Sequence, residues 1–131
     1  MFNSLKSLGI TEEEFDDMAE MDPFLREMSE AEIEEPIGFL RDLGCSDEDL
    51  KNIVLSDPFC LSRIVSDLEK TVQKFMEIGL DDVDIIDLID GYPGILELDA
   101  FEIDEYVNRK AAEGLTLNEI CESILSDPSG I

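Results

Sequence analysis

Gly9, Gly44, Gly79 and Gly114 stand 35 residues apart, and Pro23, Pro58, Pro93 and Pro128 keep the same interval. Self-similarity at a fixed period of roughly 20–50 residues marks a stacked repeat architecture, in which one supersecondary unit is copied along the chain. The run Leu5-x-x-Leu8-Gly9-Ile10 returns as Leu40-x-x-Leu43-Gly44-Cys45 and as Phe75-x-x-Ile78-Gly79-Leu80. An apolar pair three residues apart and then glycine predicts a helix that closes on a left-handed cap. Two residues after each glycine stands an N-cap residue, Thr11, Ser46, Asp81 or Thr116, and three residues further an acid, Glu14, Asp49, Asp84 or Glu119. That spacing predicts a capping box at the start of a second helix, with a poorer reach where the acid is the shorter Asp.

The second helix shows its buried face at helical spacing. Phe15, Leu50, Ile85 and Ile120 share one slot; Met18, Ile53 and Leu88 share the next, with Ser123 as the exception; Ala19, Val54, Ile89 and Ile124 complete the stripe. Each such helix should end before its proline, which disfavours helical geometry in the residue preceding it. The apolar residues that follow, Phe24-Leu25, Phe59-Cys60-Leu61 and Ile95-Leu96, are expected to fill the gap between helices. A third element runs through Ile33, Leu68 and Ile103, then Ile37, Val72 and Val107, into the next Leu-x-x-Leu-Gly, with Pro36 expected in its first turn. No segment sustains a period of two. The expectation is an all-α chain, a short α-solenoid forming one domain over 1–131, with repeats 1–35, 36–70, 71–105 and 106–131. The last is truncated and puts Lys110 and Glu113 in slots that are otherwise apolar, as suits a solvent-facing terminal repeat.

Composition narrows the function. The 34 acids, 9 bases and absence of histidine give a net charge of −25. Such a surface repels phosphate backbones and anionic membranes and steers basic surfaces inward. A hydrophobic content of 44% is ample for a core. No apolar run approaches the ~18–20 residues of a spanning helix, and there is no signal-like N-terminus, so the chain reads as soluble, intracellular and cytoplasmic. Three cysteines with no C-x-x-C pair and no histidine complete no zinc site. Cys45 takes the slot of Ile10, Leu80 and Leu115, Cys60 that of Leu25 and Ile95, and Cys121 that of Ile86; they read as small core hydrophobes. The segment Asp90-Gly91-Tyr92-Pro93-Gly94 lacks the ligand alternation of an EF-hand loop. With no histidine, no phosphate-cradling glycine loop and no distinguished carboxylate pair, no enzymatic activity, metal or cofactor is expected.

The stretch Pro36-Ile37-Gly38-Phe39-Leu40-Arg41-Asp42-Leu43-Gly44-Cys45-Ser46, continued by Leu50, Ile53-Val54 and Asp57-Pro58-Phe59-Cys60-Leu61, resembles the repeat of the mitochondrial transcription termination factor (mTERF) family. The resemblance covers the whole chain in about three and a half motif copies. It implies a curved stack of helix–helix–3₁₀ units whose concave face, in the family, carries basic residues that hold duplex DNA or RNA. Here those bases are only Lys6, Arg26, Arg41, Lys51, Arg63, Lys70, Lys74, Arg109 and Lys110, spread over every repeat. Phosphate binding relies on such side chains, and their scarcity argues against direct nucleic-acid binding.

The acid is uneven. Repeats 1 and 3 hold 12 and 11 acids against 2 bases and 1 base, whereas repeats 2 and 4 hold 7 and 4 acids against 4 and 2 bases. Helix N-termini favour nearby acids, and a small domain stays soluble with a net charge of about 2–8 in magnitude; neither absorbs the excess. Spacing predicts one acidic ridge from Glu13, Asp16, Asp17 and Glu20, and another from Glu77, Asp81, Asp84 and Asp87. These eight residues are the candidate site, facing a basic protein surface such as the groove of a DNA- or RNA-binding protein, as in DNA-mimic inhibitors. Other readings of the acidic faces are a solvated surface without a ligand and weak divalent-ion binding. For the chain as a whole, the alternatives are family-like nucleic-acid binding through the bases of repeats 2 and 4, and a natural or designed scaffold with no ligand. Partner identity and oligomeric state are open at this point.

Overall fold

The computed structural model describes residues 2–131, and every regular element among them is helical. The chain falls into two compact units, one reaching Val65 and one beginning at Ser66. In the first, α1 (Asn3–Ser7) and α2 (Glu12–Met21) are followed by a 3₁₀ turn (Pro23–Glu27), α3 (Glu30–Leu43), α4 (Asp47–Ser56) and the short α5 (Phe59–Ser62). Helix α3 is the centre of this unit and packs against α1, α4 and α5. The second unit is built from α6 (Val65–Ile78), α7 (Asp82–Gly91), a 3₁₀ turn (Pro93–Glu97), α8 (Ala100–Ala112), α9 (Leu117–Ser126) and a closing 3₁₀ turn (Pro128–Gly130).

All four glycine corners have one construction. Gly9, Gly44, Gly79 and Gly114 adopt φ of 86°, 122°, 119° and 97°, a region that side chains with a Cβ rarely enter. In each corner the glycine N–H donates to the carbonyl three residues back, that of Lys6, Arg41, Met76 or Ala111. The next N–H reaches the carbonyl five back, from Ile10 to Leu5, Cys45 to Leu40, Leu80 to Phe75 and Leu115 to Lys110. This is the Schellman arrangement, which satisfies carbonyls left open at a helix end and brings the residue after glycine over the distant acceptor. Ile10 and Leu5, Cys45 and Leu40, and Leu80 and Phe75 are accordingly all buried. At the fourth corner the acceptor is Lys110, which is only half-buried.

The capping boxes follow directly. Thr11, Ser46, Asp81 and Thr116 each accept a backbone N–H from the acid three residues on, and each of their own N–H groups donates back to that acid. The return bond is 3.0 Å at Glu14, Asp49 and Glu119 and 3.3 Å at Asp84, so the shorter acid costs reach at one of its two positions. Behind these caps Phe15, Leu50, Ile85, Ile120, Met18, Ile53, Leu88, Ala19, Val54, Ile89 and Ile124 are all buried. Removing the Val, Leu, Ile, Phe and Met side chains among these from water contributes roughly 1.5–3 kcal/mol each. Cys45 and Cys60 are buried, and the half-buried Cys121 donates from Sγ to the Ile78 carbonyl at 3.2 Å.

Three local expectations are corrected. Pro36 is not in a first turn: Ser29 and Glu32 form an earlier capping box, and α3 starts at Glu30 with the proline inside it. Its ring removes one ladder bond, that to the Glu32 carbonyl, so α3 spans the site despite it. The repeat boundaries 35/36, 70/71 and 105/106 mark the period rather than helix ends, and they fall inside α3, α6 and α8 because the third element of each copy runs into the next. After the prolines, Leu25, Cys60, Leu61, Ile95 and Leu96 fill the gap as expected, but Phe24 and Phe59 are 51% and 37% exposed. Successive residues in so tight a turn point in different directions, and only part of an apolar run can face inward. In α8 the core position falls to Tyr106, while Val107 is half-buried.

Candidate functional site

Helix α2 turns Phe15, Met18 and Ala19 inward and thereby sends Glu13, Asp16, Asp17 and Glu20 outward, all four exposed on one helix. Asp16 is engaged: Arg26 Nη2 donates to its Oδ1 at 2.9 Å, and the same guanidinium lies 5.5 Å from the centre of the Phe15 ring. Glu13, Asp17 and Glu20 make no ion pair among the described residues. They follow one another at intervals of four and three along the helix, which keeps them on one face.

The second ridge is not one ridge. Glu77 belongs to α6, whereas Asp81, Asp84 and Asp87 lie beyond the Gly79 corner at the start of and along α7. The three-and-four spacing holds only within one helix, and the glycine cap interrupts it. Asp81 and Asp84 are joined in the capping box of α7. Lys74 Nζ sits 3.0 Å from Glu77 and 3.1 Å from Asp104, and these two carboxylates push the ammonium pKa upward. Asp87 is the one member of the set that is exposed and without a recorded hydrogen bond or ion pair among the described residues.

Several basic side chains are similarly committed, whereas Lys6 and Lys70 are exposed and make no ion pair among the described residues. Arg41 meets Asp47 at 2.8 Å, Lys51 meets Glu14 at 3.9 Å and Lys110 meets Glu113 at 3.4 Å, while Arg109 and Lys110 both lie over the Tyr106 ring. Exposed pairs of this kind contribute only about 0–1 kcal/mol to stability. Their larger effect is on the field, since each cation is partly neutralised where a phosphate would have to approach.

Several acids that look alike in the sequence serve the backbone instead. The N-cap N–H groups of Thr11, Ser29 and Thr116 hold the carboxyls of Glu14, Glu32 and Glu119 below the usual glutamate range. Glu30 is lowered chiefly by the Ser4 N–H, with the Ser4 hydroxyl and Asn3 N–H assisting, and so covers the start of α1 from another helix. Asp22 accepts the Phe24 N–H at 3.2 Å and the Ser62 hydroxyl at 2.6 Å. The spacing after each glycine reveals Glu14 and Glu119 but not Glu32, whose box with Ser29 lies outside that pattern, nor Glu30 and Asp22, whose partners lie elsewhere in the chain.

Two surface concavities accompany these faces. One, of about 310 Å³, is lined by Phe2, Asn3, Phe15, Arg26 and Glu30, and its charged groups are those already bound to Asp16 and to the α1 N-terminus. The other, of about 430 Å³, lies along α6 with Lys70 and Lys74 on its wall, and Lys74 is the residue shared by Glu77 and Asp104. Burial raises the Cys121 thiol pKa, and the charge of Asp84 adds to the shift, the reverse of what activates a nucleophile. Among the described residues no helix is long and apolar enough to cross a membrane.

The model of one protein family, mTERF, matches residues 1–130. That family comprises helical-repeat proteins associated with nucleic acids and transcription and is generally non-enzymatic. No curated protein sequence matches the chain.

Proposed function

Because the chain belongs to the mTERF family, we propose that it is a non-enzymatic binding protein whose macromolecular partner is a basic protein surface rather than a nucleic acid. One observation carries the reading. Arg26, Arg41, Lys51, Lys74 and Lys110 are each paired with carboxylates of the same chain, while Glu13, Asp17, Glu20 and Asp87 stand exposed. The charge available to a partner is therefore mostly negative, and phosphate binding by the paired bases would require breaking ion pairs before any counterion is released. The partner class is the basic groove of a DNA- or RNA-binding protein, in which the exposed carboxylates occupy positions of phosphates. Family membership itself favours a second reading, direct contact with duplex through bases such as Lys70 and Arg109.

Fluorescence anisotropy with labelled duplex DNA and RNA at about 0.15 M salt separates the two. The expected result is no binding of either duplex, together with salt-sensitive displacement of duplex from a basic DNA-binding protein. Charge reversal by Asp17→Lys and Asp87→Lys should weaken that displacement by about tenfold. Direct binding of duplex by the chain would overturn the proposal in favour of the second reading. Absence of binding to both would leave a scaffold without a ligand.

A further inference from the structure

Met21 closes α2, Phe24 lies in the 3₁₀ turn after it, and Phe59 opens α5; they are 52%, 51% and 37% exposed. The turn and α5 pack on one another, and the bond from the Ser62 hydroxyl to Asp22 ties them together. Leu25, Cys60 and Leu61 lie fully buried behind. The fold does not require apolar residues here. The positions 35 and 70 residues after Phe59 hold Gly94 and Ser129, and those matching Met21 hold Ser56, Gly91 and Ser126. The apolar edge is thus a property of the first unit's sequence rather than of the repeat.

The line Glu13, Asp17, Glu20 on α2 runs toward this edge, with Met21 one turn beyond Asp17 on the same face. We propose that Met21, Phe24 and Phe59 form an anchoring surface for a basic protein segment that carries a large apolar side chain, its lysines or arginines lying along the acidic line. The inference rests on the basic-partner reading above and adds what that partner must present. Charge complementarity selects this occupant over a second copy of the chain, since two copies would bring net charges of −25 together.

The test titrates the full chain with two synthetic lysine-rich peptides, one with a central leucine and a twin with serine in its place. The leucine peptide should bind about tenfold more tightly. The double substitution Phe24→Ser, Phe59→Ser should remove that preference and leave affinity for the serine twin unchanged, while Asp17→Lys with Glu20→Lys should weaken both peptides alike. Equal binding of the twins by the unaltered chain overturns the anchor and leaves the basic-partner reading standing; this comparison needs no variant to fold. Failure of either peptide to bind overturns both. Sedimentation that finds a dimer, lost in the double serine variant, overturns the inference by assigning the edge to a second copy.

Discussion

The glycine corners and the proline corners of this chain obey different rules. Every glycine corner makes the same two backbone bonds and then the same capping box, whatever side chains surround it. The proline corners share two backbone bonds as well, from the residue before proline to the carbonyl four back and from the second residue after proline to the carbonyl of the residue before it. What varies is the rest: 3₁₀ turns start at Pro23, Pro93 and Pro128, a short α-helix follows Pro58, and Asp22 caps its turn whereas Tyr92 does not. At the glycine corners a full α-helix follows; an orphan N–H of its first turn is met by the N-cap side chain while the acid three residues on receives the N-cap N–H, so few solutions exist. The proline corners form no such reciprocal box, and side chains such as Phe24 and Phe59 are left facing outward there.

The largest expected contrast is in the side chains behind each corner. Leu40→Ala, at a glycine corner and fully buried, should cost about 2–5 kcal/mol in urea unfolding. Phe24→Ala should stay within about 0.5 kcal/mol, and similar costs for the two would erase the distinction. A smaller contrast separates two glycines of the second unit. Gly79→Ala forces a Cβ into φ of 119° and should destabilise by about 1–3 kcal/mol. Gly94 has no positive φ, and a Cβ there meets only side-chain atoms at 3.7 Å, so Gly94→Ala should be neutral or stabilising by up to about 1 kcal/mol. Opposite signs in thermal melts would sharpen the comparison.

The smallest effect is at the caps, where Thr116→Ala should cost about 1 kcal/mol near neutral pH. Glu119 titrates below the usual glutamate range because it accepts the Thr116 N–H. A carboxyl whose folded pKa is depressed stabilises fully above its unfolded pKa of about 4.3 and loses that contribution as pH falls through the lower folded value. The difference in melting temperature between the parent and Glu119→Ala, which removes the carboxylate that accepts the Thr116 N–H, should therefore narrow below about pH 4. A difference that stays constant down to pH ~3 would remove the reciprocal bond from the explanation.

How much of this was legible follows from the range of each interaction. Schellman corners and capping boxes close within about six residues, so glycine and the cap residues announce them in any one copy. Pro36 misled because its own preference for a first turn is outweighed by Ser29 and Glu32, which start the helix earlier. Glu77 misled because three-and-four spacing does not carry across Gly79, which the sequence itself marks as a helix end. The pairing of Arg26 with Asp16 and the tie between Ser62 and Asp22 depend on which turns lie side by side, and forty residues separate the latter pair in sequence. The all-α repeat was therefore readable slot by slot, whereas the state of each charge in the candidate site required coordinates.

The cysteines set one corner type against the other in time as well as in space. Cys45 follows a glycine corner and Cys60 lies just past a proline, both in the first unit and at most 4% exposed. A thiol shielded to that degree reacts with a labelling reagent only while its surroundings are open. The two labelling rates then report separately how often a glycine corner and a proline corner come apart, with no residue changed in the protein.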